Sequence, residues 1–476
     1  MGGELAARTH RLVAVVAAVT GRRTRLTPSE VEGARARADA PAGVRRRGPM
    51  GERPSWWSST PGVGVPWHRA TAAQLASLYP WQVDQSFGVR GPWMGVNVTG
   101  GLADFHYEPF ELYPHVLTSP SVIVFGDLGT GKSTTVKSFL WRAAACYGDD
   151  RFIAIVDPKG EYGALAGALG LPVLRLHPGG GDRLNPMDPL PGEDRANATS
   201  RQGLAAAMCA NVVGRRLDGV EDAVLGWTIG SLARGRPSFT LVDVARALHD
   251  PPPELVALSH RSPLELTQAA TPLLFALDKL CSRTLHGMFD AATTLPDGWA
   301  DGPGLVIDVS AVFHDREAFP LVMLAASSWL SAVLCRPWRR RSYQVFDEVW
   351  AAVRVSAEHV QASLKLARTW GVSTWLLCHR PSDLVAQSDD GTSAAKIAAG
   401  LLADTQPRVL HRLPVDQVPL AAELLDLTER EREYLPQLVR GRALWRLQRR
   451  SAIVQQILTP TEMALTDTDS SMSDSG

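Results

Sequence analysis

Four segments of the chain are uninterrupted apolar runs that carry an acidic residue or a histidine at or near their last position. They are FIAIVD (152–157), GLVIDV (304–309), YQVFDE (343–348) and STWLLCH (373–379). Runs of this kind are typical of strands covered on both faces, as in a parallel sheet flanked by helices. The pattern therefore predicts an α/β fold with a mostly parallel central sheet, whose core comprises residues 119–190 and 301–460.

Between these two core segments the pattern changes to helical spacing. Residues 191–300 are rich in alanine and leucine, as in LAAAMCANVV, DAVLGWTIGSLA and LVDVARALHD, and contain no apolar run comparable with those of the core. The spacing predicts an all-helical insertion. A further helix is predicted for FPLVMLAASSWLSAVLC (319–335), which lies between two strand-like runs. Its three serines and its position favour a buried crossover helix over a membrane span.

The two ends of the chain differ in composition. Residues 1–66 are rich in arginine, glycine and proline, with ten arginines against four acidic residues in the first fifty, which predicts a weakly folded basic arm. Residues 67–118 combine tryptophans with Gly-Pro pairs and are expected to form a short N-terminal lead-in that contains β-structure. Residues 461–476 predict a disordered acidic tail. The apolar run LVAVVAAV (12–19) is too short to span a bilayer and favours a buried or surface helix.

Composition limits the classes of function. The chain has 476 residues, of which 45% are hydrophobic and 21% charged, as in a large globular protein. Lysine plus arginine and aspartate plus glutamate each total 49, so the net charge provides no broad attraction to nucleic acid, and any DNA contact has to be local. The five cysteines are scattered without a CxxC pair, which indicates neither a zinc site nor a disulfide framework and fits a reducing cytosol.

The most specific motif is SVIVFGDLGTGKST (121–134), in which a β-prone apolar run is followed directly by GxxxxGKS and a helical segment. A strand, glycine-rich loop and helix in this order bind the phosphates of a nucleoside triphosphate. The residues predicted to contact the nucleotide are Gly126, Asp127, Leu128, Gly129, Thr130, Gly131, Lys132, Ser133 and Thr134. Lys132 is expected to reach the β- and γ-phosphates of ATP, and Ser133 to coordinate Mg²⁺. The carboxylate of Asp127 is unusual in such a loop, and its side chain is expected to point to solvent.

An acidic pair follows the strand predicted within SYQVFDEVW (342–350). Asp347 is expected to orient the water shell of Mg²⁺, and Glu348 to accept a proton from the water that attacks the nucleotide. An exposed acidic turn is the alternative, but the presence of the phosphate loop favours the catalytic interpretation. The helical insertion explains the long interval between the loop and the pair.

Five further motifs follow the phosphate loop along the chain. They are IVDPKGEY (155–162), LNPMDP (184–189), FDEVW (346–350), LARTWGVS (366–373) and CHRPSDL (378–384). Together with the loop, these motifs resemble the conjugative-transfer ATPases of type IV secretion, within the FtsK-like and HerA-like class of P-loop motors, and in particular their actinobacterial members. The resemblance extends over about residues 75–458.

This resemblance implies a RecA-like core that assembles into a homo-oligomeric ring, such as a hexamer, and hydrolyses ATP with Mg²⁺. It further implies partners among the channel proteins of a conjugation or type IV secretion apparatus, and a cytoplasmic location peripheral to the cytoplasmic membrane. It places Asp157, Lys159 and Glu161 near the nucleotide or a subunit interface. The large N-terminal domain usual in the family is replaced here by the shorter segment of residues 1–118, so its partner contacts cannot be carried over.

Two candidate catalytic residues depend on the resemblance. His379 follows the strand STWLLC, where related ATPases carry a polar residue, often glutamine, that senses the γ-phosphate. Arg368 lies at the end of the helix after Glu348, where an arginine of ring-shaped ATPases can reach the γ-phosphate bound by a neighbouring subunit. A surface histidine and a solvated arginine at a helix end are the alternatives, and the sequence leaves both open.

The sequence supports three functions to different degrees. An ATP-driven motor of conjugative transfer is the leading one. A DNA translocase or coupling protein that contacts DNA directly is supported by RPWRRR (336–341), in which arginines flank a tryptophan. However, this basic cluster precedes the strand of Asp347, so it is expected at the sheet edge opposite the nucleotide, where a solvated loop is favoured. A non-enzymatic scaffold held together by bound nucleotide is disfavoured by Glu348, because a scaffold requires no general base.

Overall fold

The structure of the protein is a computed structural model that describes residues 90–99, 101–189, 199–236, 238–334, 340–349, 364–365, 369–385, 400–402, 404–448 and 450–467. The predicted basic arm with its apolar run at 12–19, the lead-in as far as residue 89, and Arg368 lie outside these residues. The basic cluster is described only at Arg340 and Arg341.

The strands of the described residues form one sheet. They are β1 (Trp93–Asn97), β2 (Ala103–His106), β3 (Val122–Phe125), β4 (Arg151–Asp157), β5 (Val173–Arg175), β6 (Gly304–Asp308), β7 (Arg341–Phe346), β8 (Val372–Cys378), β9 (Pro407–Leu410), β10 (Arg442–Leu447) and β11 (Arg450–Gln456). Their order across the sheet is β2-β1-β11-β10-β9-β3-β8-β7-β4-β6-β5. From β9 to β5 all neighbours run parallel, whereas from β2 to β9 they run antiparallel. The predicted mostly parallel sheet is therefore confirmed, and the four apolar runs form β4, β6, β7 and β8.

Most of the helices lie between successive strands along the chain. They are α1 (Pro109–Leu112), α2 (Lys132–Tyr147), α3 (Gly163–Leu169), α4 (Thr199–Val213), α5 (Gly219–Gly235), α6 (Leu241–His249), α7 (Pro253–Ser259), α8 (Pro263–Ala269), α9 (Thr271–Cys281), α10 (Ala318–Leu334), α11 (Pro381–Val385), α12 (Val418–Leu425), α13 (Glu429–Tyr434) and α14 (Pro460–Thr466). Single 3₁₀ turns lie at Gly148–Asp150, Trp299–Asp301, Ser310–Val312, Val415–Gln417 and Leu435–Gln437. Helices α4 to α9 all fall between β5 and β6, within the segment predicted as a helical insertion.

Local sequence signals set where several of these helices begin. Helices α5, α6 and α8 each begin with a capping box, in which an Asp, Thr or Ser accepts the N–H three residues later and an acidic side chain there accepts the N–H of the cap. Each box satisfies N–H groups that have no partner within the helix. The short helices of this segment are therefore defined by their caps as well as by their apolar faces, which pack together in one core.

The central strands are buried on both faces because their alternate residues enter two different cores. In β3, Ile123 and Phe125 belong to one core, which extends into α10 and the helices of the insertion. Val122 and Val124 belong to the other, with apolar residues of α2 and α3. Side chains of successive strand residues point to opposite faces, so an uninterrupted apolar run supplies both cores at once.

The helix predicted at 319–335 is α10, and it is a core crossover helix. It connects β6 to β7, and fifteen of its seventeen residues are buried. Two of its three serines bond within the core: Ser327 donates to the carbonyl of Met323 at 2.6 Å, and Ser331 accepts from the amide of Gln344 at 3.1 Å. Within the described residues, every helix is too short or too polar to cross a bilayer.

The predicted disordered tail begins too early, because Pro460–Thr466 form α14. Glu462 of this helix is buried and accepts from Ser138 of α2 at 2.7 Å. Arg142 of α2 also donates to Glu462. Residues 468–476 lie outside the described part of the chain.

The lead-in extends the main sheet, since β1 pairs with β11. A buried polar group joins it to the parallel strands: Glu108 accepts from the hydroxyl of Tyr343 at 2.5 Å and lies 3.5 Å from Arg151. Arg341 stacks over the ring of Phe110 at 5.3 Å, so this arginine of the basic cluster contacts the lead-in. Such contacts could not be read from the Gly-Pro pattern that suggested a small β-containing segment.

Candidate active site

The loops after three neighbouring strands meet at one edge of the sheet. Strands β3, β8 and β7 are adjacent and parallel, so their carboxyl ends lie together. β3 is followed by the phosphate loop, β7 by Asp347 and Glu348, and β8 by His379. The topology thus brings together the phosphate loop, the acidic pair and His379. Arg368 lies outside the described residues.

The phosphate loop has the backbone geometry of an anion site. Gly131 precedes α2 with a left-handed φ of 104°, and among the described residues no side chain caps the first N–H groups of this helix. Gly126 also requires the absence of a side chain, because a Cβ there would lie 2.5 Å from the Cβ of His411. The N-terminus of a helix without a side-chain cap offers N–H groups and a positive dipole end to a phosphate.

Lys132 is folded onto its own loop. Its ammonium donates to the carbonyl of Gly126 at 2.6 Å, to that of Asp127 at 3.0 Å and to Nδ1 of His379 at 3.0 Å. Burial lowers the pKa of Lys132, although the nearby carboxylates of Glu348 and Asp347 act in the opposite direction. The ammonium therefore lies against the phosphate loop itself, beside the predicted acidic pair, as the predicted role of Lys132 requires.

Glu348 is buried and held in an unusual backbone conformation. Its φ is 58°, a left-handed value that costs a residue with a side chain on the order of 1–3 kcal/mol. Oε1 accepts from Nε2 of His379 at 2.6 Å and is paired with the ammonium of Lys159. Burial by itself would raise the pKa of Glu348, but its hydrogen bonds with His379 and Lys159 and the positive charge of Lys159 outweigh it and lower the pKa to about 2. In this state the carboxylate is a weak base.

His379 connects the phosphate-loop lysine to the acidic pair. Nδ1 faces the ammonium of Lys132, which can only donate, and Nε2 faces the carboxylate of Glu348, which accepts when ionised. The ring therefore fits as the neutral tautomer that carries its proton on Nε2. Lys159 lies 3.3 Å from the same Nε2, but both groups are then donors, so its ion pair with Glu348 is the bonding contact. His379 is thus a bridging residue of the site, whereas the alternative was a surface histidine.

Asp347 is the second buried carboxylate. Oδ1 accepts from the backbone N–H of Glu348 at 3.1 Å, whereas Oδ2 has no hydrogen bond of normal geometry among the described residues. Burial, with the negative charge of Glu348 added, raises the pKa of Asp347 to about 7. The hydroxyl of Tyr162 also interacts with this carboxylate. Buried carboxylate oxygens at this edge can accept from the water shell of Mg²⁺, so the residue fits the predicted metal role.

The DPKGEY motif places its three charged residues in different positions. Asp157 accepts the backbone N–H groups of Lys159 at 3.1 Å, Gly160 at 2.9 Å and Tyr162 at 2.9 Å, so it shapes the loop that carries Lys159. Lys159 enters the site through its ion pair with Glu348. Glu161 instead lies 3.8 Å from the buried ammonium of Lys137 on α2. Of the three, Lys159 therefore contacts the candidate catalytic residues directly.

The sequence predicted that the side chain of Asp127 points to solvent, but in the structure it lies beside a charged partner. Its Oδ1 lies 3.6 Å from the guanidinium of Arg380, the residue after His379. This ion pair joins the phosphate loop to the loop after β8. The expectation failed because the partner is far away in sequence and only the pairing of β3 with β8 brings it close.

His411 is a residue of the site that the sequence did not indicate. It follows β9, is 1% exposed, and lies against the phosphate loop with Nδ1 3.2 Å from the carbonyl of Thr130. No motif marks it, because β9, at the boundary between the parallel and antiparallel parts of the sheet, is a four-residue strand without a long apolar run. A hint was available only in the polar pair His411–Arg412 directly after PRVL.

Comparison with known proteins agrees with this architecture. Residues 100–199 match the family model of the central domain of the helicase HerA. The structure of VirB4 of Thermoanaerobacter pseudethanolicus is similar at 18% identity, covering 80% of this chain and 100% of that one with a TM-score of 0.61. The plasmid coupling protein TrwB in complex with the non-hydrolysable analogue ADPNP is similar at 16% identity, with 83% and 96% coverage and a TM-score of 0.52. TrwB with the GTP analogue GDPNP gives 17% identity, 83% and 96% coverage and a TM-score of 0.51. No curated protein matches the chain in sequence.

These likenesses establish the fold. The chain has the RecA-like P-loop fold of VirB4 and TrwB, and the predicted fold class is confirmed. The family match to the HerA central domain covers the segment that holds the phosphate loop, in agreement with the predicted HerA-like class.

Proposed function

We propose that this chain is an ATP-hydrolysing motor of a conjugative DNA-transfer or type IV secretion-like apparatus, and that it acts as an oligomeric ring. The observation that carries the proposal is the meeting of Lys132, Glu348 and His379 at the carboxyl edge of the sheet, beside the buried Asp347. A phosphate-binding lysine and a positioned carboxylate are the two groups that nucleotide hydrolysis requires. The apparatus is suggested by the fold-level likeness to VirB4 and TrwB.

ATP and Mg²⁺ are the nucleotide and metal of this proposal. Residues 126–134 would hold the phosphates through backbone N–H groups and Lys132. Ser133 and Asp347 would hold the metal, which would neutralise charge on the β- and γ-phosphates. Asp347 is suited to this because its carboxylate is buried at the end of β7, on the strand next to the one that carries His379.

The contacts of Glu348 suggest how hydrolysis is restrained before nucleotide binds. Its Oε1 is shared by Lys159 and His379, and these contacts lower the basicity of the carboxylate, so the loss of one of them would make Glu348 a stronger base. Lys132 also has to leave the carbonyls of Gly126 and Asp127 to reach a phosphate. When Lys132 moves, Nδ1 of His379 loses its donor, so His379 is placed to link phosphate binding to the state of Glu348.

The ring and its surroundings are the further parts of the proposal. Arg368 would act in the site of a neighbouring subunit, in a homo-oligomer such as a hexamer. The partners would be channel proteins at the cytoplasmic membrane, with the chain peripheral on the cytoplasmic side. Direct DNA binding is less favoured, because Arg340 of the basic cluster donates to the carbonyls of Gly302 and Asp301. A non-enzymatic scaffold is disfavoured by the contacts of Glu348 within the site.

ATP turnover by the full chain tests the enzymatic part. Lys132→Ala should lose nucleotide binding, whereas Glu348→Gln should bind ATP and lose about 10² to 10⁴ in rate, because the positioned base is gone. Glu433→Gln, which changes an exposed glutamate of α13, is the matched control and should keep wild-type turnover. Undiminished hydrolysis in Glu348→Gln would exclude this residue as the base.

Mixed assemblies test the ring. Arg368→Ala and Glu348→Gln should each be nearly inactive alone, yet regain some activity when co-assembled, because certain interfaces then combine an intact base with an intact arginine. Co-assembly is checked with distinguishable tags. A lack of recovery in mixed rings would mean that Arg368 does not act in trans.

A further inference from the structure

His411 is built into the back of the phosphate loop by contacts from both its backbone and its ring. Its N–H donates to the carbonyl of Phe125 at 2.8 Å, and the next residue, Arg412, accepts the N–H of Asp127 at 3.0 Å. These two bonds continue the pairing of β9 with β3 into the start of the loop. The ring then reaches the middle of the loop at Thr130 and the first turn of α2 at Thr135. One residue thus spans the loop from its first to its last part.

The hydrogen-bonding partners determine the state of the ring. Nδ1 lies 3.2 Å from the carbonyl of Thr130, which can only accept, so Nδ1 carries a proton. Burial, assisted by the charge of Lys132, lowers the pKa of His411 to about 3, so the ring is neutral and Nε2 has no proton. Nε2 lies 3.3 Å from the hydroxyl of Thr135 and accepts from it.

Gln456 of β11 completes this chain of bonds. Its Oε1 lies 2.8 Å from the Thr135 hydroxyl, and its Nε2 is buried without a partner among the described residues. The Thr135 hydroxyl has one proton to donate, and Nε2 of the neutral His411 ring can only accept, so this proton goes to His411. Turning the Gln456 amide by a half-rotation lets its Nε2 donate to the oxygen of Thr135, which leaves the hydroxyl proton of Thr135 for His411. The network therefore ties the loop to β11 through a single arrangement of protons.

Steric contacts support the same role. Gly126 lies so close to His411 that a Cβ on the glycine would be 2.5 Å from the Cβ of His411. A Cβ on Gly131 would be 3.8 Å from Cε1 of the same ring. The imidazole therefore fills the space behind the turn that the glycines make possible.

We propose that His411 is a positioning residue for nucleotide binding, which holds the phosphate loop in its anion-binding shape by donating Nδ1–H to Thr130. It touches no reacting atom and acts through the loop backbone. Without this bond the Thr130 carbonyl has no donor from the ring, and the nucleotide-free loop adopts other conformations. Part of the binding free energy of the nucleotide is then used to restore the anion-binding conformation. The inference rests on the proposed ATPase function, since it concerns the same nucleotide site.

The test compares three substitutions at residue 411 in the full chain. His411→Phe keeps the ring volume and removes both side-chain hydrogen bonds. His411→Asn places an amide nitrogen where Nδ1 was, so it can still donate to Thr130. His411→Gln places its amide farther out, toward Thr135, and loses the Thr130 bond. His106→Phe is the matched control, because His106 also faces a backbone carbonyl, that of Gly91 at 3.0 Å, but lies on the edge strand β2.

Binding of a fluorescent non-hydrolysable ATP analogue with Mg²⁺ is the main measurement, with thermal unfolding and steady-state kinetics beside it. His411→Phe should raise Kd for the analogue and KM for ATP about tenfold, the order expected when one buried hydrogen bond is lost, with little change in kcat. His411→Asn should restore most of the affinity, whereas His411→Gln should not. His106→Phe should lower thermal stability without changing Kd.

Two results would overturn the inference. One is an unchanged Kd in His411→Phe with only a loss of thermal stability, as in the control. The other is an equal Kd for the Asn and Gln variants, a comparison that remains decisive if the Phe variant does not fold. If the wild-type protein does not bind the analogue, the proposed function fails and this inference with it. If the wild-type protein binds the analogue and the substitutions at residue 411 leave Kd unchanged, the inference alone fails.

Discussion

Replacing Asp347 with asparagine should stabilise the nucleotide-free protein while it abolishes hydrolysis. Burial and the charge of Glu348 raise the pKa of Asp347 from 3.8 to about 7. Folding therefore favours the protonated acid. The stability that Asp347 provides in this form is fully present below its unfolded pKa and is lost as the pH rises through about 7. At higher pH the folded protein carries a buried, ionised carboxylate.

The size of the effect follows from the change in pKa. One pKa unit corresponds to about 1.4 kcal/mol, so the rise from 3.8 to about 7 means that ionised Asp347 destabilises the folded state by on the order of 4 kcal/mol at about pH 8. At about pH 5 most of the folded molecules hold the proton, and the same linkage gives less than half of this value. Asparagine has a similar shape and no charge, so it should recover most of the difference.

The neighbouring residue provides a control of opposite sign. The contacts with His379 and Lys159 outweigh burial and lower the pKa of Glu348 from 4.5 to about 2. Ionised Glu348 therefore stabilises the fold above its unfolded pKa, by on the order of 3 kcal/mol, and this contribution is lost as the pH falls through about 2. Glu348→Gln should thus destabilise the protein at neutral pH, although both variants lose catalysis.

Thermal unfolding of the full chain in EDTA, without nucleotide, measures both changes between about pH 5 and pH 8. Asp347→Asn should raise the unfolding temperature, with a larger gain at the higher pH, and Glu348→Gln should lower it. A destabilised Asp347→Asn protein at the higher pH would refute the reasoning, as would a gain that does not depend on pH. Either result would mean that an unrecognised group already compensates the Asp347 charge.

Two further predictions concern His379 and DNA. His379→Gln should retain most turnover, because one amide can both donate to Glu348 and accept from Lys132. His379→Ala should lose about 10² in kcat. Equal losses of kcat in the two variants, measured in a steady-state assay, would argue against the bridging role. The ATPase should show little DNA stimulation, because the described arginines of the basic cluster make internal contacts. Binding through Arg336 and Arg339 alone would give a slope of about −1.4 to −1.8 for log affinity against log salt. Strong DNA stimulation that is lost when both arginines are changed to serine would instead favour the translocase.

Local spacing along the chain was sufficient to predict the parallel core. Each central strand is covered on both faces, so its apolar run is continuous and visible without knowledge of its neighbours. The phosphate loop is equally local, because its strand, glycines and lysine are consecutive in residues 121–134. The acidic pair could be located because carboxyl ends of parallel strands share an edge, a rule that needs no coordinates.

The contacts that tune the site depended on the tertiary structure. His379 lies 247 residues from Lys132, and His411 lies 276 residues from Thr135, so no pattern in a window of sequence joins them. The ion pair of Asp127 and the burial of Glu462 could not be predicted for the same reason, because each contact forms only after the strands and helices are ordered. Sequence spacing determines which strands and loops form. The order of strands in the sheet decides which polar side chains meet, and hence the charge state of the site.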